Sequence, residues 1–281
     1  MTTPATGRRV WLITGATSGF GRSLTEEVLR QGDIVVAAAR GIGRLDDLKS
    51  TYADRLFPVT LDVTDTARDG AVVRETVERH GRLDVLVNNA GRTQVGALEE
   101  TTDAEMRSLF ELHYFGPAAL TRAALPYMRR QGSGWIIQLS SVGGQVTAPG
   151  FGAYCATKFA LEGLTQTLSQ EVPGVHFLIV EPGAFRTGLF GKDAAYFSAP
   201  MPEYAETVGA TRTYVETGGG SQAGDPAKAA RAILAVMSSA KPPLRLVLGG
   251  DAIDSIRQRL AGLQDELSEW EDLGRATSLD E

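Results

Sequence analysis

The chain has 281 residues, 43% of them apolar and 22% charged, a composition that supports a large buried core and excludes disorder over the bulk of the chain. Its 28 Lys and Arg against 34 Asp and Glu give a formal net charge of −6, and no basic run is longer than Arg8-Arg9 or Arg129-Arg130, which argues against nucleic acid as a partner. A single cysteine, Cys155, excludes an internal disulfide and fits a reducing, cytoplasmic setting, while the scattered His80, His113 and His176 lack metal-ligand spacing, so no metal is expected.

The first apolar run, 10–13 behind Arg8-Arg9, is cut by Thr14-Gly15, so export is not expected. No apolar stretch approaches the ~18 residues of a membrane span. Short aliphatic or β-branched runs then recur at 10–14, 34–38, 56–61, 85–87, 135–139, 176–180 and 244–247. Most are continuously apolar, as parallel strands covered on both faces are. Between them lie helix-length segments, including 22–31, 67–80, 103–130, 153–171 and 227–239. This rhythm predicts an α/β fold: one doubly wound, Rossmann-type parallel sheet of about seven strands, with residues 1–281 forming a single domain.

Two segments stand outside the rhythm. The insertion 185–224 is too long for a plain connection and reads as a lid or binding loop. The tail 251–274 reads as an amphipathic helix with Ile253, Ile256, Leu260, Leu263, Leu267 and Trp270 on one stripe. Its opposite face is acidic, so packing on the body or on a second subunit is expected rather than binding to a membrane.

Directly after the first strand comes Thr14-Gly15-Ala16-Thr17-Ser18-Gly19-Phe20-Gly21, opening the first helix. Glycines there permit a tight turn and let a pyrophosphate approach the backbone, where its charge meets unpaired helix N–H groups. A plain glycine turn is the alternative for such a motif in isolation. Further on, Asn88-Asn89-Ala90-Gly91 follows the fourth strand and Ser141 the fifth. Tyr154-Cys155-Ala156-Thr157-Lys158 opens the next helix, and Pro182-Gly183 follows the sixth strand. In this order and spacing, over residues from about 10 to 190, the chain resembles the short-chain dehydrogenase/reductase family.

That resemblance implies a nicotinamide dinucleotide held by Gly15, Thr17, Ser18, Gly19, Phe20 and Gly21, by Asn89, Ala90 and Gly91, by Tyr154 and Lys158, and by Pro182 and Gly183. It also implies that Asp62-Val63 holds the adenine and Thr187 contacts the carboxamide; Asp62 before Thr64-Asp65 equally suits a turn cap. The second strand ends in Arg40 where an NAD-preferring fold places a carboxylate, so charge favours NADP(H), with an exposed strand-end arginine as the alternative.

Tyr154 and Lys158, four apart on a helix, share a face. Bringing a phenol from near pH 10 to about 7 takes roughly 4 kcal/mol, and an ammonium about 4 Å away supplies that order of energy at an effective dielectric near 20. Tyr154 is the expected general acid/base and Ser141 the expected partner of the carbonyl oxygen. The family's fourth member is an asparagine three residues before a glycine; this chain has His113 before Gly116. Pro117 has no N–H to offer the His113 carbonyl, which leaves that oxygen available to a relay water. The imidazole is then either a packed side chain or itself part of the relay.

Cys155, with no base nearby in sequence, is expected to pack as a small apolar group. Phe185, Phe190 and Phe197, with Tyr196, Met201 and Tyr204, either line an apolar pocket or pin the insertion to the body; Val142, Gln145, Arg92 and Gln94 form the expected opposite wall. The function expected is an NADP(H)-dependent oxidoreductase acting on a ketone or secondary alcohol of a fairly apolar small molecule. Resemblance implies a homodimer or homotetramer. A nucleotide-binding regulator without chemistry is the alternative, against which the joint presence of Ser141, Tyr154 and Lys158 counts; a sugar-nucleotide epimerase is disfavoured by the glycine spacing and the short stretch after Pro182.

Overall fold

The structure is a computed structural model that describes residues 7–191 and 194–279; positions 192 and 193 of the expected lid, and 1–6 and 280–281 of the expected domain, lie outside the described residues. Nine strands occur among the described residues: β1 (Val10–Thr14), β2 (Ile34–Ala39), β3 (Leu56–Thr60), β4 (Val85–Asn88), β5 (Thr93–Val95), β6 (Trp135–Leu139), β7 (His176–Pro182), β8 (Ala195–Phe197) and β9 (Arg245–Leu248). The helices are α1 (Gly19–Arg30), α2 (Asp46–Thr51), α3 (Thr66–His80), α4 (Asp103–Phe110), α5 (Gly116–Gln131), α6 (Gly152–Glu171), α7 (Ala205–Thr217), α8 (Pro226–Met237), α9 (Gly250–Glu269) and α10 (Glu271–Arg275).

Seven strands form one parallel sheet in the order β3-β2-β1-β4-β6-β7-β9, the doubly wound α/β architecture the alternation predicts. The continuous apolar runs have their reason in its two faces. Trp11 and Ile13 of β1 pack among Leu24, Val28 and Ile233 on one face, whereas Leu12 packs among Val73, Leu86 and Leu120 on the other. Each such side chain, once fully buried, contributes about 1.5–3 kcal/mol. The strand order reverses between β1 and β4, and a ligand crevice opens at the carboxyl ends of strands at such a switch point. The motifs after β1, β4, β6 and β7 all fall at those ends.

One local feature departs from the sequence reading, and two others add detail to it. The single helix expected over 103–130 is two helices joined by a wide π turn, Glu111–Phe115, in which Gly116 N–H bonds the Glu111 carbonyl five residues back. Pro117 has no N–H to continue the ordinary ladder. A Cβ on Gly116 would stand 2.3 Å from the Val63 carbonyl, so glycine is what allows α5 to approach the loop after β3. Secondly, the insertion carries its own order: β8 pairs in parallel with β5, Gln94 opposite Tyr196, and α7 buries Val208 and Val215 against Val95. Its polar sequence lacks a strong period. Thirdly, the tail helix α9 buries only Ala252 and Ile256 on the body, while Leu260, Leu263, Leu267 and Trp270 are exposed. No helix among the described residues is long and apolar enough to cross a membrane.

Candidate active site

The loop after β1 is clamped to the end of β4. Thr14 Oγ1 accepts N–H bonds from Asn89 at 2.9 Å and Ala90 at 3.1 Å and lies 3.2 Å from the Val87 carbonyl, to which it donates. Asn89 Nδ2 donates in return to the Thr14 carbonyl at 2.8 Å and the Gly15 carbonyl at 3.2 Å. Gly15 has φ +62, and a Cβ on Gly21 would lie 2.3 Å from the Gly15 carbonyl oxygen, so only glycine lets α1 start this close to the turn. Ser18, the residue before α1, makes no capping bond, and no acid occupies the first turn. The N–H groups of that turn are therefore available to an anion.

A cleft open to solvent runs along the strand ends. It gathers Gly15, Ser18, Gly19, Phe20, Asn89, Ala90, Gly91, His113, Ser141, Tyr154, Lys158, Pro182, Gly183, Phe185, Thr187 and Phe190 from the expected set. Thr187 reaches the glycine loop: a Cβ on Gly19 would stand 3.1 Å from Thr187 Cβ. Among the described residues no Asp or Glu lines the cleft, whereas Arg92 and Lys158 do. An uncapped helix start, a cradle that a Cβ would fill and walls without carboxylates fit the diphosphate of a nicotinamide dinucleotide.

Thr17, Gly21, Arg40, Asp62 and Val63 do not line that cleft. Arg40 is exposed just beyond β2, and no carboxylate among the described residues pairs with it. Arg22, a second cation near this end, is already engaged by Glu26 and Asp47. Asp62 accepts from Thr64 N–H at 3.0 Å and from the Thr64 hydroxyl at 2.8 Å, the turn-capping role weighed from sequence.

Ser141 follows β6 in extended backbone; its Oγ accepts from Gly143 N–H at 3.0 Å, and it lines the cleft together with Tyr154. Lys158, on the same α6 face, is buried, donates to the Leu139 carbonyl at 2.9 Å and stands 5.7 Å from the Tyr154 ring centre. Burial pushes the Tyr154 phenol up to about 12, partly opposed by the Ser141 hydroxyl. Burial also brings the Lys158 ammonium down to about 8, against the pull of Glu162. Within the chain's own surroundings, burial is thus the largest influence on the phenol. One of the three Lys158 ammonium donors is held by Leu139, and burial disfavours the phenolate.

His113 lies in the π turn, buried, edge-on to Tyr154 with ring centres 5.6 Å apart. Its Nδ1 is 2.9 Å from Thr157 Oγ1, while Nε2 accepts from Arg92 N–H at 3.2 Å. Thr157 donates its hydroxyl to the Tyr154 carbonyl at 2.7 Å, so Nδ1 carries the proton and donates to Thr157. Burial and the charges of Lys158 and Arg92 hold the imidazole well below its ordinary range.

Three residues of the expected opposite wall do not line the cleft, and Phe197 takes the pinning role of its two alternatives. Gln94 is buried beneath the cleft, bonding Arg92, Glu105 and Ser198. Gln145 turns away to donate to Glu181 at 2.5 Å. Val142 does not line the cleft, and Phe197 packs around Val95, Val208 and Val215, pinning the insertion. Phe185 stands on Phe20, ring centres 5.1 Å apart, so it braces the glycine loop; Phe190 lines the cleft and packs on Tyr214. Cys155 is buried and its thiol pushed up by burial. Sequence reasoning missed Thr14 as the clamp, although it opens the glycine motif. It also missed Leu139, Ser140, Ala184, Leu189 and Gln222 on the cleft wall, of which only Ser140, beside Ser141, carried a signal.

Residues 9–195 match the family model described as short chain dehydrogenase. The chain is 35% identical over 273 residues to the oxidoreductase BOA17 of Botryotinia fuckeliana, covering 96% of this chain and 99% of that protein. It resembles the crystal structure of a short-chain dehydrogenase from Streptomyces avermitilis at 54% identity and a TM-score of 0.91, over 98% of this chain and 100% of that one. A short-chain dehydrogenase from Sphingobium yanoikuyae in complex with NADPH aligns at 26% identity and a TM-score of 0.71, over 90% of this chain and 95% of that one. The chain belongs to the short-chain dehydrogenase/reductase family and is an oxidoreductase that uses a nicotinamide cofactor.

Proposed function

We propose that this protein is an NADP(H)-dependent carbonyl reductase, reversible as a secondary-alcohol dehydrogenase, acting on a fairly apolar small molecule. The observation that carries this is the convergence of Ser141, Tyr154 and Lys158 on one cleft beside the glycine loop. When bound, the cofactor supplies the hydride that reaches the carbonyl carbon. Tyr154 gives its proton to the carbonyl oxygen, and a phenol held up to about 12 is fully protonated at neutral pH, the state reduction requires. Ser141 donates a hydrogen bond to the same oxygen and stabilises the charge it gains. Lys158, anchored on Leu139, keeps a positive charge beside the phenol as its proton leaves. His113 is a neutral strut whose ring fixes Thr157 and the Arg92 backbone, and the relay passes by its carbonyl rather than its ring.

Arg40, exposed and without a carboxylate partner among the described residues, supports NADP(H) over NAD(H) by pairing with the 2′-phosphate. The 185–224 insertion is assigned as the substrate lid, with Phe190 reaching the cleft, and the 251–274 tail as a helical extension of the one domain. A homodimer or homotetramer in the cytoplasm accords with the family resemblance and the lone thiol. Oxidation of NADPH, and of NADH in parallel, against a panel of ketones, diketones and steroid-like carbonyls tests the reading. Turnover of at least one ketone with NADPH is expected. Tight NADPH binding with no turnover would instead make the protein a regulator.

A further inference from the structure

Arg92 follows Gly91 and lines the same cleft as Ser141, Tyr154 and His113. Its guanidinium rests on neutral groups alone. Nη1 donates to Gln94 Oε1 at 2.7 Å, Nη2 donates to Ser108 Oγ at 3.4 Å, and the Tyr196 ring centre lies 4.3 Å from the guanidinium carbon. The remaining N–H groups have no acceptor among the described residues. Every other partly buried arginine among the described residues, from Arg9 on Asp33 to Arg245 on Glu162, stands against a carboxylate.

A cation partly withdrawn from water without a counter-charge is costly unless something else supplies one. Burial pushes the Arg92 guanidinium below its ordinary range, against the opposing pull of Tyr196 and of the Glu105 charge behind Gln94. Its support is nonetheless fixed: Gln94 is buried and donates to Ser198 Oγ at 2.9 Å and to Glu105 at 3.3 Å, which aims its oxygen at Arg92. The Glu105 carboxylate is itself taken by Thr102 N–H at 2.8 Å and the Thr102 hydroxyl at 2.9 Å. Among the described residues no acid lines the cleft and Glu105 reaches Arg92 only through Gln94, so a direct counter-charge is one that a ligand would bring.

We propose that Arg92 is an anion-binding residue of the cleft that receives the carboxylate of the carbonyl substrate, whose remainder meets Leu139, Leu189 and Phe190, so that the substrate class is an amphipathic oxo acid. This rests on the reductase reading above. A cofactor phosphate offers the same chemistry, and the test carries an arm for each source.

Octanoate and octanamide, unreactive and nearly isosteric, are titrated calorimetrically into NADPH-saturated wild type, Arg92→Gln and Arg92→Lys, and the NADPH affinity of each protein is measured separately. Wild type binds octanoate roughly 10–100-fold more tightly than octanamide, with a preference that shrinks as salt rises. Arg92→Lys keeps part of it and Arg92→Gln loses it. Equal binding of the two probes by wild type overturns the proposal, as does a preference that survives Arg92→Gln. If that variant does not fold, the wild-type pair and Arg92→Lys decide. A similar loss of NADPH affinity in Arg92→Gln, without discrimination between the probes, overturns the substrate assignment in favour of a cofactor phosphate. Because the probes need no turnover, the two readings fail separately. Reduction of neutral ketones without acid preference overturns this inference alone, and acid preference without any ketone turnover overturns the reductase reading alone.

Discussion

Ser140 donates its hydroxyl proton to Glu162 at 2.6 Å, tying the residue before Ser141 to the helix that carries Tyr154 and Lys158. Glu162 lies one turn beyond Lys158, and a Cβ on Gly144 would stand 1.9 Å from its Oε1, so the loop after β6 closes directly over this carboxylate. Glu181, just before Pro182, is buried beside it, held by Gln145 at 2.5 Å and sharing the single Arg245. Two carboxylates against one arginine join the ends of β6 and β7 to α6 from behind the cleft.

Burial and the neighbouring Glu162 push the Glu181 carboxyl from 4.5 up to about 8, despite Gln145 and Arg245. The folded chain then holds a proton that the unfolded chain releases near 4.5, so this group's contribution to stability falls as pH rises from about 4.5 to about 8. Glu181→Gln removes the ionisation and keeps an acceptor for Gln145. Its melting temperature should change less between pH 5 and 8 than that of wild type, with a relative gain at pH 8 on the order of a few kcal/mol. Parallel melting curves for the two proteins would show that the pair does not share a proton.

Arg40→Asp should move cofactor preference from NADPH toward NADH. Because Arg40 is exposed, the expected change in the ratio of affinities is on the order of tenfold, and it should weaken with salt. A ratio that does not change would place phosphate recognition elsewhere. Arg22 is a poor substitute, since Asp47 and Glu26 already occupy it.

His113→Asn should leave the pH profile of ketone reduction between 5 and 9 without any limb lost near 6.5. The imidazole is held neutral by burial and by two cations, so it has no ionisation there to lose. A limb between pH 6 and 7 present in wild type and absent from the variant would restore the ring to the relay.

The sheet was legible because each strand needs apolar residues on both faces, as Trp11, Leu12 and Ile13 show, and that requirement leaves unbroken runs in the sequence. The site was legible where chemistry fixes spacing, as between Tyr154 and Lys158 or along the glycine turn. It was not legible where long-range contacts decide. Gln145 sits four residues after Ser141 yet serves Glu181, and Gln94 sits beneath the cleft because β5 pairs with a strand a hundred residues further on, which no local period announces. Spacing also gives the neighbour Lys158 but not the burial of the phenol, which long-range packing decides.

The most direct test of Tyr154 as proton donor compares wild type and Tyr154→Phe in a single turnover of NADPH oxidation with a ketone that wild type reduces, alongside NADPH affinity. The variant keeps the ring that packs against His113 and Phe151, so cofactor binding should persist while the rate falls by ~10²–10⁴. A variant that retains more than half the wild-type rate would contradict the role of Tyr154.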